Sequence, residues 1–222
     1  MSCFSPDEMF LRELEIELED ETRTVRLNQR YEGDTGVVVW DAAIVLAKYL
    51  ETNIAMVRGK EVVELGSGTG AVGLCAGVLG ADKVILTDQE DLVEFLSHNI
   101  ELNTEVTPSE SGVSALPLQW GNNTHIENVM NMVTRVDLVL VSDCVFYKES
   151  LDDLVETLQL LSDKQTRILL TYEERDSQIK HDVVKLFFEK MKSHFTWRKI
   201  PHEEHHPDYQ SPDIQIYTFY IE

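Results

Sequence analysis

Apolar and charged positions alternate through the start of the chain, in Leu14-Glu15-Ile16-Glu17-Leu18 and again in Val25-Arg26-Leu27. The acidic triplet Glu19-Asp20-Glu21 separates the two runs. A period of two with a polar break predicts a β-hairpin over residues 10–30 with one wet face. The pattern then changes. Val37-Val38-Val39-Trp40 leads into Asp41, placed to cap a helix. Residues 42–50 are almost all apolar, which predicts a buried helix ending near Asn53. Beyond it, short apolar runs alternate with helical spacing. Strands are expected at 60–65, 83–87, 113–118, 136–141, 167–172, 195–200 and 214–221. Pro117 weakens the third of these. Helices are expected at 70–79, at 90–103 with Leu92, Phe95, Leu96 and Ile100 on one face, at 150–161 and at 177–191. Residues 104–112 and 201–212 read as polar loops. Alternating strands and helices predict an α/β, Rossmann-like doubly wound sheet. We read residues 1–222 as a single domain, with the hairpin at 10–30 as an extension.

Composition narrows the setting. A chain of 222 residues suits one well-buried core. The segment from Met1 to Glu8 has neither a basic region nor an apolar run, so a cytoplasmic or nuclear location is expected. Cys3, Cys75 and Cys144 are scattered with no CxxC pair, which suggests free thiols. Forty acids against 19 bases give a net charge of −21. That disfavours nucleic acid or an anionic membrane as the main partner and suits a basic substrate.

The chemistry concentrates between Val62 and Asn103. An apolar run ends in Glu64-Leu65-Gly66-Ser67-Gly68-Thr69-Gly70, and an Ala/Val/Leu-rich segment follows. This reads as strand, tight turn, helix. Val84-Ile85-Leu86 then ends in Thr87-Asp88, and Asp88 lies 20 residues after Gly68. Such a βαβ unit binds an adenosine-bearing cofactor: glycines admit the ligand to the backbone, and the acid accepts from ribose hydroxyls. A dinucleotide would place a pyrophosphate on the helix N-terminus. Three features favour S-adenosylmethionine instead. Glu64 would repel a pyrophosphate but suits an ammonium. About 60 residues precede the motif, where dinucleotide domains often begin with it. Trp120 follows the third strand, placed to cover an adenine.

The segments Val39-Trp40-Asp41-Ala42-Ala43, Glu64 to Gly70, Leu118-Gln119-Trp120-Gly121 and Asp143-Cys144-Val145-Phe146 resemble the class I seven-strand lysine methyltransferases of non-histone proteins. These carry an Asp/Glu-x-x-Tyr/Phe motif after the fourth strand. Asp143 to Leu151, Tyr172-Glu173-Glu174-Arg175 and the tail from Asp208 to Ile214 resemble the branch acting on valosin-containing protein, a hexameric AAA ATPase. The resemblance covers about residues 10–220. It implies that Trp40, Gly66, Ser67, Gly68, Asp88, Trp120 and Ser142 contact S-adenosylmethionine, and Glu64 is expected beside its ammonium group. It implies that Asp143 and Phe146 flank a lysine channel; we expect Tyr147 on its rim and Glu173 and Arg175, at the end of the next strand, at its mouth. Phe146 stands where the family often has Tyr. The implied partner is a protein, valosin-containing protein or another ATPase or chaperone, met by a monomer. Competing readings are methylation of a histidine or a small molecule, and a non-catalytic scaffold.

Other motifs have plainer readings. His202-Glu203-Glu204-His205-His206 matches H-E-x-x-H, but Pro201 and Pro207 bracket it and no periodicity supports the helix that zinc chemistry needs. No metal is expected. Cys144 has no histidine near it in sequence and reads as a packed thiol. Asn122-Asn123-Thr124 matches a glycosylation sequon, which carries no meaning without secretion.

Overall fold

The computed structural model describes residues 9–31, 35–107 and 112–222. Residues 1–8, with Cys3, and the middle of the expected polar loop at 104–112 lie outside these residues.

β1 (Met9–Glu17) and β2 (Thr22–Arg30) form the expected antiparallel hairpin. Ile16, Val25 and Leu27 are buried and their neighbours face solvent. After α1 (Asp41–Thr52) the chain builds β3 (Glu61–Leu65), α2 (Ala71–Val78), β4 (Lys83–Asp88), α3 (Val93–Glu101) and β5 (Gly112–Pro117). The second half holds α4 (Asn123–Met130), β6 (Leu138–Ser142), α5 (Leu151–Leu160), β7 (Arg167–Glu173), α6 (Gln178–Met191), β8 (Thr196–Ile200) and β9 (Ile214–Tyr220). The strands order as β5-β4-β3-β6-β7-β9-β8. The first five run parallel, and β9 is antiparallel to both its neighbours.

Alternation along β3 explains the layers. Val62 faces one hydrophobic cluster with α1, α2 and the hairpin; Val63 and Leu65 face another with α4, α5 and α6. Helices therefore cover both faces, as parallel strands require. Pro117 is tolerated because it ends β5, an edge strand.

Two expectations are corrected. Trp40, not Asp41, occupies the cap position of α1; Asp41 is the first helical residue, where its charge meets the positive end of the helix. The helix α4 has no counterpart in the sequence reading. Its buried residues are only Ile126 and Val129, too few to set a period, and its visible signal is the cap: the Asn122 side chain accepts from the amides of Thr124 and His125.

The hairpin is fixed to the core by side chains that act as a strand edge. Asn99 and Asn103, both essentially buried, pair with the backbone of β2. Asn103 accepts from the Arg26 amide (2.8 Å) and donates to the Arg26 carbonyl (2.7 Å). Asn99 does the same for Asn28 and also donates to the Thr69 carbonyl in the glycine turn (2.9 Å). At the other end Lys48 reaches the Glu15 carbonyl and pairs with Glu51, which accepts from the Glu17 amide. Buried polar groups thus remain satisfied, and the hairpin is coupled to the turn at the heart of the sheet.

Glu64 is the least expected member of that core. It is only 2% exposed, and its carboxyl accepts from the Gly73 amide in the first turn of α2 (3.0 Å). Burial pushes its pKa up to about 8, against an opposing contribution from the Gly73 bond. A carboxyl with a raised folded pKa binds a proton in the native state that the unfolded chain has already released. Its contribution to stability is complete below its usual value of 4.5 and is lost as pH rises through about 8. The unfolding temperature of the ligand-free protein is therefore expected to fall across that window. Glu64→Gln, which keeps the acceptor, should flatten the slope relative to wild type. Equal slopes in the two proteins, followed by circular dichroism, would show that Glu64 is not the titrating group.

Candidate active site

The strands β3 and β6 are neighbours from which the sheet continues in opposite directions, so their carboxyl ends open a crevice. A cleft of about 480 Å³ lies there. Four strand ends and the turns after them supply its walls: Gly66, Ser67 and Gly68 beyond β3, Asp88 ending β4, Trp120 beyond β5, and Ser142 ending β6 with Asp143 and Phe146 beyond it. Trp40 and Tyr147 complete the rim.

The glycine turn has a strict steric logic. Gly66, Gly68 and Gly70 have φ of 61°, 54° and 80°, the left-handed region. A Cβ on Gly68 would lie 2.7 Å from the Gly36 carbonyl oxygen. A Cβ on Gly66 would lie 2.6 Å from the Cys144 sulfur and 3.4 Å from the Trp120 ring. The Gly68 amide donates to the Asp88 carboxylate (2.8 Å), and the other Asp88 oxygen accepts from the Gln89 amide (2.8 Å). Ser67 and Thr87 exchange bonds: amide to carbonyl (2.9 Å), and amide to hydroxyl (2.9 Å). The turn is thereby sewn to the end of β4. Asp88 both shapes the turn and borders the cleft; ionised carboxylate oxygens keep lone pairs for ligand hydroxyls.

Glu64 borders the cleft, but its carboxyl turns to Gly73 and is mostly protonated near neutrality. Its expected pairing with a ligand ammonium is not what this geometry offers.

Asp143 is the only residue other than glycine with positive φ among the described residues (53°). Aspartate tolerates this region better than most residues, and such strain gathers at functional sites. Its amide donates to the Thr171 carbonyl (2.8 Å), which holds the bend against β7. Its carboxylate, 8% exposed, receives both guanidinium nitrogens of Arg175, at 2.6 and 3.3 Å, and the Glu173 amide at 3.3 Å. Arg175 also pairs with the Glu173 carboxylate (2.9 Å). Its guanidinium carbon lies 5.5 Å from the Trp40 ring centre and 5.1 Å from that of Phe146. The sequence reading puts Arg175 at a channel mouth; the structure binds it to Asp143 itself. The Asp143 carboxylate thus already holds a cationic side chain, whose guanidinium lies near two aromatic rings.

Phe146 and Tyr147 pack edge to face with centres 5.0 Å apart, and Tyr147 is exposed. Ser142 meets Thr171 through its hydroxyl (3.3 Å). Cys144 packs against the Leu65 and Ser142 carbonyls, and burial raises its pKa well above the usual thiol value. It is poorly suited to be a nucleophile at neutral pH. The His202-to-His206 run forms a short 3-10 turn rather than a helix face, and the Nε2 of buried His205 lies 3.2 Å from the Ile200 carbonyl. Thr35, Gly36 and Gln89 also line the cleft. Thr35 and Gly36 were missed because their position follows the hairpin rather than a local motif, and Gln89, directly after Asp88 at the end of β4, carries no motif of its own.

These features fit an adenosine-bearing sulfonium cofactor. The turn has room only for backbone, an acid stands at the end of β4, and an indole lies across from it. Comparison with known proteins bears on the same point. Residues 19–194 match the family model described as lysine methyltransferase. The chain is 34% identical over 194 residues to protein N-lysine methyltransferase METTL21A of Danio rerio, covering 87% of this chain and 81% of the relative. It is 39% identical to METTL21A of Xenopus tropicalis (72% and 68% covered) and 33% identical to EEF1A lysine methyltransferase 3 of that species (68% and 64% covered). Solved structures share the fold at lower identity. A SAM-dependent methyltransferase of Agrobacterium tumefaciens superposes with TM-score 0.58 at 17% identity, over 99% of this chain and 72% of the other. The 16S rRNA methyltransferase RsmC of T. thermophilus, in complex with AdoMet and guanosine, gives 0.58 at 16% identity, over 96% and 51%. The βαβ turn, the acid after β4 and these matches agree: the chain is a member of the lysine methyltransferase family, and S-adenosylmethionine is its methyl donor.

Proposed function

We propose that this protein methylates a lysine side chain of a folded protein, with valosin-containing protein as the first candidate, and that it does so as a cytoplasmic monomer. The observation that carries the reading is the Asp143 carboxylate. It stands at the end of β6, beside the glycine turn, with the Trp40 and Phe146 rings about a bound cation. The valosin-containing-protein assignment rests on the likeness of Asp143 to Leu151, Tyr172 to Arg175 and Asp208 to Ile214. METTL21A and EEF1A lysine methyltransferase 3 are named for protein lysines, which supports the acceptor class.

S-adenosylmethionine supplies an electrophilic methyl on a sulfonium. The chain's own groups then have three tasks. The turn at Gly66–Gly68, Asp88 at the ribose, and Trp40, Trp120 and the backbone of Ser142, all of which line the cleft, would hold the cofactor. The acceptor must become neutral, because a free lysine of pKa about 10.4 is unprotonated only about once in a few thousand at neutral pH. Entry along the rim formed by the Phe146 and Tyr147 rings removes water and lowers that pKa. Asp143 then orients the nitrogen, and Arg175 fixes the carboxylate so that it acts as a positioned acceptor and not as a strong base. The aromatic rim holds an ammonium that already carries methyl groups. Most of the rate gain comes from holding two bound reactants in line.

Two predictions separate these tasks. Asp88→Ala should weaken S-adenosylhomocysteine binding by about 1.5–3 kcal/mol, as expected for losing hydrogen bonds to a charged group. Asp143→Asn keeps a side chain that tolerates positive φ; it should leave that affinity within a few-fold and depress turnover. Calorimetry and a methyl-transfer assay read the two effects, and full turnover in Asp143→Asn would remove Asp143 from the mechanism. The acceptor is tested in a lysate of cells lacking the protein, labelled by the enzyme with tritiated S-adenosylmethionine and mapped by mass spectrometry. The labelled residue should be a lysine. Its replacement by arginine should abolish labelling despite the retained charge, since the planar guanidinium is broader and stays protonated. Persistent labelling of the arginine variant, or label confined to histidine or small molecules, would overturn the assignment.

A further inference from the structure

Lys180, in the first turn of α6, differs from Lys190, Lys192 and Lys48 in how its charge is met. Lys190 pairs with Asp152, Lys192 with Glu189 and Lys48 with Glu51. Among the described residues Lys180 forms no salt bridge; its amine lies on the aromatic rim instead. Nζ stands 2.9 Å from the Phe146 ring centre, 5.5 Å from that of Tyr147, and donates to the Phe146 carbonyl at 3.3 Å. The Phe146 ring is a wall of the cleft, and Arg175, bound to Asp143, lies 5.1 Å from the same ring centre. The chain therefore places one of its own primary amines against the ring expected to receive a substrate lysine.

We propose that Lys180 is a self-methylation site: in the absence of a protein substrate, its ε-amine is the acceptor presented to the cleft. The inference rests on the lysine-methyltransferase reading above. In the step, the neutral Nζ lone pair forms the new N–C bond. The S–C bond breaks with its electron pair going to sulfur, S-adenosylhomocysteine leaves, and the proton lost from Nζ passes to water. Two features favour Lys180 as acceptor. Desolvation, then the nearby Arg175 charge, lower its pKa from the usual lysine value and so enlarge the neutral fraction. Tethering makes the encounter intramolecular, which raises the effective concentration of the amine without any new contact. The flexible four-carbon stem allows Nζ to move along the ring toward the cleft while α6 stays in place. A substrate lysine would compete for the same rings, so self-methylation and substrate methylation should exclude one another in time.

The test uses the purified full chain with tritiated S-adenosylmethionine and no other protein, followed by peptide mapping. The expected result is label on Lys180, with a first-order rate constant unchanged when the protein is diluted. Lys180→Arg should lose the self-label while still labelling proteins in the lysate of cells lacking the enzyme. Label in that lysate with Lys180 unmodified would overturn the proposal and leave the methyltransferase reading intact. Self-label that persists in Lys180→Arg would also overturn it, by placing the acceptor elsewhere. No transfer to either the chain or the lysate would defeat the underlying activity and the proposal with it.

Discussion

The hydrogen bond from the Gly68 amide to the Asp88 carboxylate, 2.8 Å long, is the contact on which the site depends. It ties the turn after β3 to the end of β4, and it requires the left-handed backbone that only glycine adopts without strain. From the other side the Gly36 carbonyl closes on Gly68, so the segment before α1 is packed against the same turn. Asn99 extends the constraint outward by bonding Thr69 and the β2 backbone together. The hairpin is therefore a brace for the cofactor turn as well as an added sheet. A loosened hairpin would be felt at the cleft, which links a surface feature of the sequence to its chemistry.

The second constraint is electrostatic. A chain of net charge −21 has little need of another buried acid, yet Asp143 is held nearly out of solvent in a strained conformation. Arg175 and the Glu173 amide offset that cost by completing its hydrogen bonds. A carboxylate so held can move little, which suits orientation of an incoming amine better than proton removal. Under the proposed mechanism an acceptor would enter a nest where one cation already sits. Asp143 must then share its lone pairs with Arg175, or Arg175 must shift toward Glu173, its other partner at 2.9 Å.

Much of this was written locally in the chain. The alternation of Leu14 to Leu27 specified the hairpin, and the runs around Val63 and Val139 specified the central strands. Gly66, Gly68 and Asp88 were legible because a tight turn and an acid at a strand end leave a spacing in sequence. What was not legible depends on long-range packing. Glu64 looked like a ligand group, but its side chain faces α2 because alternation along β3 points it to that side of the sheet. Arg175 looked peripheral because its partner Asp143 lies 32 residues away, beyond the end of a different strand. Lys180 carried no signal, since nothing in a helix's first turn indicates an aromatic ring 34 residues upstream. The helix α4 was lost for want of apolar residues.

The central claim is that one cleft brings a cofactor seated on the glycine turn to an amine site at Asp143 and Phe146. A crystal structure of the chain with S-adenosylhomocysteine tests it most directly. The account predicts the ribose hydroxyls on Asp88, the adenine beside Trp120, and the sulfur directed toward Asp143 and the Phe146 ring. Density for the ligand outside this cleft, or a sulfur turned away from Asp143, would contradict it.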